Sequence, residues 1–137
     1  DSYKSEVDLV GKTAVVESGS AGQSYADGAV GDSGKVIKAA AQINTFTEVK
    51  SGAADFAVVD IILAQNVCGK GNYDDLCIVN AIELESEIYA IGFRRGSDLT
   101  AKVNEAIKTL RDNGKLLEIA KKYGLENSLS VQETINY

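Results

Sequence analysis

Two apolar runs, each ending in a sharp entry to a helix, constrain this chain more than any other feature. In Val15-Val16-Glu17-Ser18-Gly19-Ser20-Ala21-Gly22-Gln23 a β-branched strand runs into a Gly/Ser turn. In Ala54-Asp55-Phe56-Ala57-Val58-Val59-Asp60 a nearly continuous apolar stretch is bounded by Asp55 and Asp60. The second run reads as a strand buried on both faces of a parallel sheet. Parallel strands must be joined by crossovers, so the chain has to wind strand, helix, strand. A glycine-rich turn at the start of a helix also presents backbone N–H groups to an anion, while a carboxylate at the tip of a neighbouring strand can take an ammonium group. An amino acid carries both charges on one carbon, and the pairing points to a receptor for a small zwitterion.

The rest of the pattern supplies the elements such a sheet needs. Residues 12–17 form a strand, residues 20–27 a short helix, residues 28–34 a loop and residues 35–39 a second strand. A helix is expected over residues 40–51, with Ala40, Ile43, Phe46 and Val49 on one face and Gly52 as its stop. The strand over residues 54–59 and a helix over 61–67 follow. Residues 76–79 and 87–93 read as two more strands, after which the period becomes helical. Ser97 serves as N-cap for a helix carrying the stripe Leu99, Val103, Ile107 and Leu110 up to Gly114. A second helix over residues 115–123 ends at Gly124 with Leu125 behind it, as in a Schellman stop. The expected fold is therefore a three-layer α/β domain around a mostly parallel sheet, followed by a C-terminal helical pair. Ligands gather at the carboxyl ends of the strands in such sheets, where the Gly19 turn and Asp60 both lie.

Composition removes several classes of function. At 137 residues, with 45% hydrophobic and 25% charged residues, the chain has ordinary globular composition and is one domain by size. A net charge of −6 without a basic patch argues against nucleic acid and anionic membranes as partners. No apolar run approaches bilayer-spanning length, and no signal peptide is visible. The chain has no Met, so Asp1 is expected to be a processed or excised start. With no His, the usual general base is lacking, and no motif supports a Ser/Lys hydrolase. Asp74-Asp75 alone makes no metal site, and no cofactor signature is present: the Gly/Ser turn lacks the lysine of a P-loop and the third glycine of a dinucleotide fingerprint. Cys68 and Cys77 bracket a glycine-containing loop that a disulfide could close; the alternative is one thiol at a helix end and one on a strand.

From Asp8-Leu9-Val10-Gly11-Lys12 to Leu125 the chain resembles the second lobe and C-terminal helices of the periplasmic solute-binding proteins of polar amino-acid ABC transporters. The resemblance is carried by motifs in order: Asp-Leu-x-Gly-Lys, then Val-x-Ser-Gly-Ser-x-Gly, then Lys50-Ser51-Gly52-Ala53-Ala54-Asp55-Phe56-Ala57-Val58-Val59-Asp60. Glu87-Ile88-Tyr89-Ala90-Ile91-Gly92-Phe93-Arg94-Arg95-Gly96 resembles the family's returning crossover strand, and Asn104 through Gly124 its closing helices. The resemblance implies that Asp60 binds the ligand's α-ammonium and that Gly19, Ser20, Ala21, Gly22 and Gln23 form the turn that receives its carboxylate. The family has a hydroxyl where this chain has Ala21, which removes a hydrogen bond worth about 0.5–1.5 kcal/mol unless Ser20 or Ser24 replaces it. It further implies a ligand-binding lobe over residues 1–96, a helical pair over 97–125 that packs on an N-terminal first lobe, and a tail over 126–137. The implied partners are an amino acid, ABC permease subunits, the first lobe, and a second copy of the chain through the Leu99–Leu110 stripe. The implied location is extracytoplasmic, in a periplasm or as a lipoprotein outside the membrane, and that compartment favours the Cys68–Cys77 disulfide.

Each site residue also has a plain structural reading. The Gly19–Gly22 turn is a tight strand-to-helix connection, and Asp60 is a helix N-cap. Asp55 reads as a strand-start residue, Glu83, Glu85 and Glu87 as a solvated face, and Tyr89 and Phe93 as core. Tyr25 lies close enough in sequence to the turn to reach a cleft. Two rival functions use the same fold: the sensor domain of a signalling receptor, and a dehydratase, for which only Asp60 and Glu17 are placed as an acid/base pair.

Overall fold

A computed structural model of the chain describes residues 3–129. It comprises two compact units, Asp1–Leu84 and Glu85–Tyr137.

The first unit is an α/β domain of three parallel strands: β1 (Thr13–Glu17), β2 (Lys35–Ala39) and β3 (Phe56–Val58). Their order is β2-β1-β3, with Glu17 opposite Ala39 and Val16 opposite Val58. Helices α1 (Ala21–Ala29), α2 (Gln42–Lys50) and α3 (Ile61–Val67) each follow a strand directly. The chain moves from β1 to one neighbour and then back across it to the other, so two right-handed crossovers put α1 and α2 on opposite faces. Side chains of β1 alternate accordingly. Ala14 and Val16 pack with Ala26 and Val30 of the α1 region, flanked by Val36, Phe56 and Val58. Val15 points the other way, toward the layer in which Thr45 and Phe46 of α2 are buried. The expected three-layer fold is what forms.

The strand buried on both faces is β1, whose Ala14, Val15 and Val16 are wholly inaccessible. The expectation placed the run over residues 54–59, not β1, in that position. That run instead yields a three-residue edge strand, half-buried throughout, because no strand lies on its other side among the described residues. Asp55 fixes its start: the Asp55 N–H donates to the Thr13 carbonyl (2.8 Å) and its carboxylate accepts from the Thr13 N–H (2.7 Å). Gly52, at φ +76°, ends α2 as expected, with the Ala53 N–H bonded to the Glu48 carbonyl.

The strand expected over residues 76–79 does not form; these residues are irregular. They follow a short 3-10 turn, Gly71–Tyr73, that docks on the end of α2. There the Tyr73 ring lies 5.7 Å from Phe46, its hydroxyl contacts Thr47 Oγ1, and Lys50 donates to the Asn72 carbonyl and pairs with Asp75. No disulfide joins Cys68 and Cys77, contrary to the pairing the resemblance favoured. The residues beside them share one acceptor, since the N–H groups of Gly69 and Leu76 both bond to the Tyr73 carbonyl. That backbone clasp closes the loop without a covalent bond. Burial, and then the nearby Cys77, push the Cys68 thiol pKa up, which favours its protonated form.

In the second unit, residues 87–93 are irregular rather than a strand. Ile88, Tyr89 and Ile91 are exposed, so the expected core role of Tyr89 is not met; Phe93 is half-buried. A strand needs a neighbouring strand to satisfy its backbone, and among the described residues this segment joins no sheet. Helices α4 (Leu99–Asp112) and α5 (Lys115–Lys122) form a hairpin turned by Gly114 at φ +76°. The cap residue of α4 is Asp98 rather than Ser97, although Ser97 Oγ accepts from the Leu99 N–H at 3.3 Å. The end of α5 is a Schellman stop: the Leu125 N–H bonds to the Ala120 carbonyl and the Gly124 N–H to the Lys121 carbonyl. No side chain of α4 is buried, and Leu99 and Leu110 of its apolar stripe remain exposed. The tail begins with a 3-10 turn, Glu126–Ser128; the expectation for the remainder lies outside the described residues. No helix among the described residues is long and apolar enough to cross a membrane.

Gly34 sets the approach of α1 to the sheet, since a methyl there would stand 2.4 Å from Val30 Cβ and 2.8 Å from the Lys12 carbonyl oxygen. Gly34→Ala is expected to cost about 2–3 kcal/mol. Gly28→Ala, on an open helical position with nothing within 4 Å, should instead stabilise by about 0.5–1 kcal/mol. Urea denaturation of both variants against the parent chain checks the pair.

Candidate functional site

All three strands run the same way, so the turns after Glu17, Ala39 and Val58 open at one edge of the sheet, and α1, α2 and α3 all begin there. Helix N-termini carry unpaired N–H groups and partial positive charge. What satisfies those groups decides what this edge can bind.

At α1 the cap is Ser20. Its hydroxyl accepts from the Gln23 N–H (3.1 Å) and donates to the Glu17 carbonyl (2.8 Å). The Gln23 side chain reaches back, its Oε1 accepting from the Gly19 N–H at 2.9 Å and its Nε2 donating to Asp27 at 3.3 Å. Ser and Gln thus form a variant capping box displaced by one residue. Gly19 supports the turn at φ +77° with open space around its Cα. The N–H groups of Ala21 and Gly22 have no acceptor among the described residues. Gly22 is also the point where α1 touches β3, since a methyl there would meet the Val58 carbonyl oxygen at 3.0 Å. Two donors therefore sit directly beside the end of β3. The Ser20 hydroxyl, committed on both sides, is not available to stand in for the one that Ala21 lacks, whereas Ser24 is exposed.

Asp60 ends the segment after β3 and caps α3: its Oδ1 accepts from the N–H groups of Ile62 (2.9 Å) and Leu63 (3.0 Å). The carboxylate is half-buried and held by the first turn of its own helix. β1 and β3 are adjacent, so Asp60 and the Ala21–Gly22 donors belong to the same edge. The arrangement offers a negative group and a pair of anion-seeking donors on neighbouring strand ends.

One participant had no motif in the sequence. Gln42, the first residue of α2, accepts the Asp60 N–H on its Oε1 at 2.8 Å and so ties the end of β2 to the end of β3. A glutamine at a helix start carries no signal of its own, and only the return of the chain through α2 and β3 brings Asp60 to it.

Tyr25 does not reach this edge. Its hydroxyl donates to Glu6 Oε1 at 3.0 Å, in the 3-10 turn Glu6–Leu9 that precedes β1. Glu17, half-buried at the end of β1, lends its carbonyl to the Ser20 turn. Two surface depressions lie elsewhere, one lined by Thr47, Lys50, Ser51, Asn72 and Tyr73 at the far end of α2 and one along α4. The lysines of both depressions are already engaged, Lys50 with Asp75 and Lys102 with Asp98. Among the described residues no cluster of three or more His, Cys, Asp or Glu side chains could hold a metal ion.

No family model matches the chain. It is similar to the arginine-binding extracellular protein ArtP of Bacillus subtilis (strain 168), at 38% identity over 78 residues. The match spans 56% of this chain and 30% of that protein. The relative is by its name a binding protein, and the chain resembles part of it.

Burial and the Glu6 carboxylate hold the Tyr25 hydroxyl protonated, its pKa pushed up to about 12 from an ordinary value of 10.0. The unfolded chain ionises first, so the contribution of Tyr25 is complete below pH 10 and is lost as pH rises toward 12. Urea midpoints measured from pH 9 upward should fall more steeply for the parent chain than for Tyr25→Phe.

Proposed function

We propose that this chain is the second lobe of an extracytoplasmic solute-binding protein that takes an amino acid at the carboxyl edge of its sheet and delivers it to an ABC permease. One observation carries the reading: the acceptor-less N–H groups of Ala21 and Gly22 stand beside the strand end that bears Asp60. The donors receive the ligand's α-carboxylate, with the start of α1 adding its dipole. Asp60 pairs with the α-ammonium while its Oδ1 stays anchored on α3. Gly19, Ser20 and Gln23 shape the turn rather than touch the ligand, since their polar groups are engaged with one another and with Glu17.

The similarity to an arginine-binding protein makes arginine the first ligand to test, and the extracellular placement in that relative's name supports an extracytoplasmic location. A charge-assisted hydrogen bond contributes about 1.5–3 kcal/mol. A single lobe then holds an amino acid at about the millimolar level, near 4 kcal/mol. Tight binding requires a first lobe closing over the ligand from the other side, and the exposed apolar face of α4 and α5 is where that lobe would pack.

Substitutions at Asp60 separate its two roles. Asparagine caps a helix as well as aspartate does, so Asp60→Asn should keep the stability of the chain to within about 0.5 kcal/mol while abolishing arginine binding. Asp60→Ala should lose both, with about 1 kcal/mol of stability. Ala21→Ser supplies the absent hydroxyl and should tighten binding by about 0.5–1.5 kcal/mol. NMR titration with L-arginine, paired with thermal denaturation, measures both effects; full binding by Asp60→Asn would exclude the ammonium role.

A further inference from the structure

Resting on the amino-acid site proposed above and going one step beyond it, we propose that Gln42 is a positioning residue that sets the direction of the Asp60 carboxylate. Asp60 has extended backbone angles, φ −58° and ψ 135°, and stands between the end of β3 and the start of α3. Its carboxylate is anchored through Oδ1 on the first turn of α3, but the direction of that carboxylate also depends on the main chain from which it hangs. Gln42 fixes that main chain. Its Oε1 accepts the Asp60 N–H at 2.8 Å, a part-buried bond spanning 18 residues of sequence. A backbone N–H can only donate, so the amide must present its oxygen to Asp60, which settles the orientation of the Gln42 side chain.

The position of Gln42 makes this a cross-element brace rather than a local cap. α2 begins after Ala41, which has no side-chain oxygen, and no side chain caps this helix start. The first residue of α2 has its polar group turned to another element instead of to its own helix. The acceptor is also neutral, so it holds Asp60 in place without repelling its carboxylate or competing for a cation. Asp60 is thus pinned by α3 through its side chain and by α2 through its backbone. A site relying on one carboxylate gains from such support, because a displaced acceptor loses its charge-assisted contact.

The test uses the full 137-residue chain with L-arginine as probe, following the amide signals of Ala21, Gly22 and Asp60 by NMR together with hydrogen exchange at the Asp60 N–H. Gln42→Met removes the acceptor at similar size and helix propensity. It should speed exchange at the Asp60 N–H and weaken arginine binding about three- to tenfold. Gln42→Glu keeps an acceptor oxygen at the same reach and should restore slow exchange at the Asp60 N–H, while its charge beside the Asp60 carboxylate competes for the ammonium and leaves binding weaker than in the parent chain. Unchanged affinity in Gln42→Met would overturn the proposal, as would weakened affinity with the Asp60 N–H still protected, which would mean that Gln42 acts other than through Asp60. If the parent chain itself shows no arginine-dependent shift at Ala21, Gly22 or Asp60, the amino-acid reading fails, and the role of Gln42 in it fails with that reading.

Discussion

Burial of β1 on both faces is the constraint on which the rest of the first unit depends. Ala14, Val15 and Val16 can leave water only if a helix covers each side, because their side chains alternate between the two. α1 supplies one cover through Ala26 and Val30, and α2 the other with Phe46 and Thr45. Thr45 can be buried because its hydroxyl donates to the Gln42 carbonyl one turn back (2.7 Å), leaving no unpaired donor in an apolar layer. Once both helices are in place, their N-termini are delivered to one edge of the sheet with no further choice.

That edge is organised by where polar groups find partners. Ser20, Gln23 and Glu17 satisfy one another around the first turn, and Asp60 satisfies the start of α3 while taking support from Gln42. The donors of Ala21 and Gly22 are what this network leaves over. In the proposed site the fold and the ligand therefore draw on the same residue at Asp60, and on separate ones at the first turn, where the capping groups are occupied and the adjacent N–H groups have no acceptor among the described residues. Gly22 connects the two, since its missing side chain lets α1 come close enough to β3 for the donors to lie beside the Asp60 segment.

The second unit shows what happens to an apolar pattern that lacks cover. Ile88, Tyr89 and Ile91 stay exposed, and α4 buries no side chain. The helices nonetheless form, because a helix closes its own hydrogen bonds and carries its own stops at Gly114 and Gly124. The segment over residues 87–93 has no such recourse, since a strand is completed only by a neighbour.

The same distinction separates what was legible in the sequence from what was not. Local signals determined the Gly/Ser turn, the start of α1, the starts and stops of α3 and α5, the cap at Asp60, the Asp55 strand start and the parallel α/β class, because each rests on interactions within a few residues or on a short apolar period. Pairing was decided by tertiary structure. It made β1 central and β3 an edge, left residues 76–79 and 87–93 outside the sheet, turned Tyr25 to Glu6 rather than to the strand edge, and brought Gln42 to Asp60. None of these could be read locally, since each depends on which distant segment supplies the missing partner, and a linear pattern of apolar and polar residues records the need for a partner without recording its identity.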